Sequence, residues 1–113
     1  MPNKRTEPRR STRLSLQIPV KVTSVDPARS FQEKCHTVVI NAHGCGILSP
    51  QFLETGTRVV VQLQEQDRHT NGRIVMSISV GGGTGSWLLG LEFDEAGDFW
   101  GVTNPPEDWK SFQ

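Results

Sequence analysis

The sequence predicts an all-β domain: a small six-stranded antiparallel β-barrel with a basic N-terminal arm and a short C-terminal cap. Three observations predict it. Apolar runs with a period of two, rich in β-branched residues, recur along the chain with turn residues between them. No stretch before the C-terminus carries a helical period. Six short strands would leave exposed edges unless the sheet closed on itself, and a small barrel removes those edges.

The arm comes first. Residues 1–13 lack apolar periodicity and contain Pro2 and Pro8, so they read as a flexible, extended segment. Texture changes at Leu14. Leu16, Ile18, Val20 and Val22 alternate with Gln17, Pro19 and Lys21, the pattern of a half-buried strand. Pro19 has no N–H for a ladder, which puts this strand at an edge or a bulge. Asp26-Pro27-Ala28-Arg29 is a turn.

A second strand runs from about Lys34 to Ile40 through Thr37, Val38 and Val39. Asn41-Ala42-His43-Gly44-Cys45-Gly46 interrupts it, and Ile47-Leu48 resumes apolar character. Pro50 to Gly56 turns the chain into a strand from Thr57 to Gln64, with Val59, Val60 and Val61 in one run. Gln66 to Gly72 reads as a polar connection. Arg73 to Val80 then alternates through Ile74, Met76, Ile78 and Val80. The glycine-rich stretch from Gly81 to Ser86 is a hairpin loop leading to a last strand, Trp87 to Phe93. Three regions follow: the arm (1–13), the barrel (14–95) and an aromatic, proline-rich tail (96–113). In the tail, Phe99, Trp100, Trp109 and Phe112 are expected to pack onto the barrel. Pro106, Glu107 and Asp108 suit the opening of a single helical turn.

Composition sets bounds. At 113 residues the chain is one domain with a modest core. No apolar run approaches the roughly 20 residues that span a bilayer, so no membrane insertion is expected. No apolar segment follows the basic start, and Cys35 and Cys45 are too few for a disulfide scaffold. A cytoplasmic protein with free thiols is the expectation. Charge is unevenly placed. Lys4, Arg5, Arg9, Arg10 and Arg13 face only Glu7 within the arm, whereas the whole chain has no net charge, so the rest is acidic. Clustered arginines imply an anion, because the guanidinium offers a planar fork of donors suited to phosphate oxygens and to guanine N7/O6.

The second candidate segment is Asn41 to Gly46. Asparagine tolerates left-handed backbone and can pair with a base edge through both amide atoms. Two glycines within three residues let the chain turn sharply and leave room for a flat ligand. Taken by itself, the segment is better accounted for by a tight turn that needs Asn and Gly for geometry alone.

Taken in order, three segments resemble the PilZ domain family. The first is Arg9-Arg10-Ser11-Thr12-Arg13, leading through Leu14 to Ile18-Pro19-Val20-Lys21-Val22. The second is Asn41-Ala42-His43-Gly44-Cys45-Gly46-Ile47, and the third is Leu89-Gly90-Leu91-Glu92-Phe93, similar to the strand that closes the PilZ barrel. In that family an RxxxR segment and a (D/N)xSxxG segment jointly bind the bacterial second messenger cyclic di-GMP. The resemblance implies a ligand site made of Arg9, Arg10, Arg13, Asn41, His43 and Gly46. Arg9 and Arg13 would fork onto phosphates or guanine, Arg10 would stack on a base or add to the phosphate field, and Asn41 would read a guanine edge. The ligand would order residues 5–13 against the barrel and so alter the surface shown to a downstream protein partner. The family's serine is His43 here; a bulkier ring either adapts the pocket or fills it. The alternative is a degenerate PilZ-fold adaptor that binds no nucleotide and acts through protein–protein contacts.

Other chemistry finds less support. Cys35, His36, His43 and Cys45 are metal-ligand types, but Cys35 and His36 are adjacent on a strand and point to opposite faces, so no metal site is expected. The Gly81–Ser86 loop lacks the lysine and helix of a phosphate loop. The acidic body argues against nucleic acid as a partner. His36, His43 and His69 have no nucleophile with an oxyanion-type helix start, so neither catalytic residues nor a cofactor are expected.

Overall fold

A computed structural model describes residues 11–82 and 85–112, the last three of these by their backbone alone. Six strands form: β1 (Pro19–Ser24), β2 (Gln32–Asn41), β3 (Gly44–Ser49), β4 (Arg58–Leu63), β5 (His69–Val80) and β6 (Ser86–Phe93). They close into an antiparallel barrel in the order β1-β2-β3-β6-β5-β4, as the strand pattern predicts. A 3-10 turn, Glu107–Phe112, follows the barrel, with Glu107 and Asp108 in its first turn. No helix of the described residues is long and apolar enough to cross a membrane.

The interior is filled by the inward set of each strand. Val20, Val22, Ile40, Ile47, Val61 and Leu89 are completely buried. Burying each such side chain stabilises the fold by roughly 1.5–3 kcal/mol. The tail caps one end. Phe93, Phe99 and Trp100 form a cluster with ring centroids 5.1–5.6 Å apart. Trp109 has no exposed surface and Trp100 has 3%.

Four expectations need correction. The first strand begins at Pro19, and Leu16 is exposed. Closure leaves β1 paired on both sides, and Pro19 is tolerated because it is the strand's first residue rather than at an edge or a bulge. The polar stretch before Arg73 is not a connection: β5 starts at His69, with Thr70 opposite Val61 and Asn71 opposite Val60. Its polar side chains are compatible with a strand because His69 and Asn71 face solvent. Third, the alternation expected through Ile74, Met76 and Ile78 breaks. A register shift between Ile74 and Met76 keeps Ile74 inside and turns Met76 and Ile78 outward, with 36% and 47% of their surfaces exposed. Finally, Gly44 and Gly46 are not turn residues. The turn is the two-residue loop Ala42-His43, and both glycines lie in β3.

Gly44 is required by close approach rather than by bending. A Cβ there would collide with the Leu91 carbonyl oxygen and lie 3.2 Å from the Glu92 Cα, both fixed backbone atoms.

Candidate functional site

A groove of about 540 Å³ lies on the outer surface of β2, β3, β6 and β5. That volume falls in the range of small-molecule clefts, roughly 300–1,000 Å³. Its floor is set by Gly46 opposite Gly90 in the β3–β6 register. Neither glycine projects a side chain, so the sheet surface is low there. The walls come from irregularities on either side. A register shift between Thr37 and Val39 places Val38 and Val39 along one wall, and the shift between Ile74 and Met76 places Val75 and Met76 along the other. A bulge admits one extra residue and re-aims its neighbours. Here the two bulges raise apolar rims beside a glycine floor.

One end of the groove is polar: Arg13, Asn41, His43 and Glu92 line it. Arg13 is exposed, and its neighbour Leu14 forms an isolated bridge with Ile40, at 2.8 and 2.9 Å for the two backbone bonds. Glu92 accepts from Arg73 Nη2 at 2.7 Å, so the one carboxylate among the described residues lining the groove is ion-paired.

Five groups hold the Ala42-His43 loop and the Asn41 that leads into it. Asn41 Oδ1 accepts the N–H groups of His43 and Gly44, each at 2.8 Å. Trp100 Nε1 donates to the Asn41 carbonyl at 3.0 Å, and Gly97 N donates to Ala42 O at 3.0 Å. Phe93 N donates to His43 O at 2.7 Å. The Ser11 hydroxyl accepts the Ala42 N–H at 3.2 Å and lies 3.1 Å from His43 Nδ1. Asn41 therefore serves turn geometry, and its carboxamide oxygen is already committed. The other polar group of that carboxamide is the Nδ2 donor pair.

Of the residues singled out by sequence, Arg13, Asn41, His43 and Gly46 converge on this groove. Arg9 and Arg10 lie outside the described residues. Sequence reasoning missed Ser11, 1% exposed, whose hydroxyl ties the arginine segment to the loop. The available signal was a small hydroxyl residue between Arg10 and Arg13. It also missed the apolar walls, because nothing in Val38 or Val75 announces a bulge. The thiols are poor nucleophiles at neutral pH. Burial, with a contribution from Glu33, pushes Cys35 up to about 11. Burial and the nearby Cys35 raise Cys45 as well.

Comparison with known proteins agrees with this fold. No curated protein sequence matches the chain. Among solved structures, the fold is similar to the Bacillus subtilis inhibitor of motility, MotI/DgrA, with a TM-score of 0.58 at 15% identity. The alignment covers 96% of this chain and 49% of that one, so the chain spans about half the length of its structural relative. A PilZ domain model matches residues 3–98, a span holding the arginine segment, the Asn41 loop and all six strands, and the chain belongs to the PilZ domain family.

Proposed function

We propose that this domain is a non-enzymatic cyclic di-GMP receptor whose ligand lies in the β2–β3–β6–β5 groove. The observation that carries the reading is the groove itself: Arg13, Asn41 and His43 meet at the polar end of an apolar trough floored by Gly46 and Gly90. Cyclic di-GMP presents two phosphates and two flat purines. A guanidinium at the mouth suits a phosphate or the guanine N7/O6 edge, and the side-chain-free floor suits a purine face. Arg13 engages the ligand with Arg9, Arg10 stacks or adds charge, and Asn41 Nδ2 donates to a guanine acceptor. Ser11 and Leu14 are already fastened to the barrel, so the ligand meets Arg13 on a fixed stretch of backbone. The signal is a change in the surface shown to a protein partner. Titration calorimetry with cyclic di-GMP on folded protein tests this directly. Saturable binding is the expected result, and no heat at high micromolar ligand overturns it.

A second reading follows from His43, which stands where the family has serine and whose ring lines the groove beside Ser11. In that reading the ring fills the pocket, and the domain is an adaptor acting through protein contacts alone. His43→Ser separates the two. Binding gained from none identifies histidine as the block, whereas binding already present in the wild type removes the adaptor reading.

A further inference from the structure

The arginine segment has an anchor at the far end of the chain. Ser11 is fixed to the Ala42-His43 loop and Leu14 to Ile40. Between them, Thr12 is held by the C-terminal 3-10 turn. Its N–H and its hydroxyl both donate to Asp108 Oδ2 at 2.9 Å. Its carbonyl oxygen accepts the Trp109 indole N–H at 2.7 Å. Two consecutive residues, 96 and 97 positions away, thus engage every polar group of Thr12. The turn is itself rigidly seated, because the Trp109 ring is fully buried and Trp109 N donates to Pro106 O at 3.0 Å.

We propose that Asp108 and Trp109 are positioning residues for the ligand groove: by gripping Thr12 they fix the backbone that delivers Arg13 to the polar end. Arg13 sits between two anchored neighbours, Thr12 on the C-terminal turn and Leu14 on β2. A residue whose backbone stays free until binding adds its ordering entropy to the cost of that step. A grip made beforehand removes that cost from the binding step. Linkage makes the effect reciprocal: a ligand that needs Arg13 in place also tightens the grip, so occupancy of the groove is felt at the C-terminal turn. The ligand part of this proposal rests on the function proposed above; the grip does not.

Two measurements on wild type, Asp108→Ala and Asp108→Asn test it. The first is amide hydrogen exchange without ligand. Asp108→Ala should speed exchange about tenfold or more, not only at Thr12, which loses its acceptor, but also at Leu14, whose own bond to Ile40 is untouched. Barrel amides such as Val61 should not change. The second is calorimetry with cyclic di-GMP, in which Asp108→Ala should bind about tenfold more weakly, because ordering the backbone at Arg13 then falls on the binding step. Asp108→Asn, whose carboxamide oxygen can still accept both Thr12 donors, should recover most of both effects. Trp109→Phe, lacking only the indole donor among polar groups, should act in the same direction as Asp108→Ala. Unchanged Leu14 exchange in Asp108→Ala overturns the grip. Unchanged affinity, where the wild type binds, overturns its link to the groove. A wild type that binds no cyclic di-GMP defeats the receptor reading instead, and the exchange at Leu14 then decides the grip alone.

Discussion

The outward face over the β1–β2, β1–β4 and β4–β5 ladders and the outward face over the β2–β3, β3–β6 and β5–β6 ladders belong to one barrel but differ in register and chemistry. On the first, the β1–β2, β1–β4 and β4–β5 ladders run without a shift, and Lys21, Lys34, Gln62 and Gln64 face solvent around a small depression. On the second, both register shifts occur, and Leu48, Val75, Met76 and Ile78 stand exposed near a glycine floor. Regular pairing makes a flat, solvated wall. Irregular pairing makes a trough with apolar rims. The groove lies where the ladder is broken, and the breaks give it depth.

The sharpest way to break the comparison is Gly44→Ala on the irregular side. The added methyl meets only backbone of β6, so relief requires the strands to part. We expect a loss of about 3 kcal/mol or more, since overpacking against fixed atoms costs at least as much as in a core. That should lower the melting temperature by more than about 10 °C in thermal denaturation. A melting curve matching wild type would show that β3 and β6 are not in this register.

Next comes function. Arg13→Ala should weaken cyclic di-GMP binding by at least about 2 kcal/mol in calorimetry, as losing a charge-assisted pair does. Lys21→Ala, which removes one charge from the flat face, should leave affinity unchanged. Equal losses from both would mean that the ligand responds to overall charge rather than to the groove.

A smaller effect is expected at the loop. Asn41→Ala leaves the amides of His43 and Gly44 without their acceptor and should cost about 1 kcal/mol of stability in denaturant unfolding. The corresponding turn on the flat side uses Asp26, whose Oδ1 accepts the Ala28 N–H at 2.9 Å. Asp26→Ala should cost less, because that bond is single and exposed. Smallest of all is Lys34→Glu. Lys34 lies directly opposite Lys21 in an antiparallel pair, where like charges repel. Replacing that repulsion with attraction should stabilise the fold by roughly 0.2–1 kcal/mol, with cyclic di-GMP affinity unaltered.

Much of this was legible in the residues. β-branched runs separated by turns located six strands, and the need to eliminate edges closed them into a barrel. Arg13 and Asn41 drew notice as types that recognise anions and base edges. The rest depended on neighbours. Ile74, Val75 and Met76 read as simple alternation, but the β5 ladder shifts there and sends Met76 outward. Whether a strand bulges depends on what its partner offers, and one strand's pattern does not contain its partner's geometry. His69 to Gly72 looked like a loop because their side chains are polar, yet solvent-facing strand positions accept such residues.

By itself, then, the amino-acid sequence determined which segments become strands, where the charge sits and which side chains suit a phosphate or a purine, because these follow from local periodicity and residue chemistry. Only the tertiary structure decided that two bulges would wall a glycine floor, that Ser11 would meet His43, and that Asp108 and Trp109 would hold Thr12. Those are contacts between residues 31 to 97 positions apart. They exist only once the barrel has closed and brought Ser11, Thr12 and the C-terminal turn to one rim.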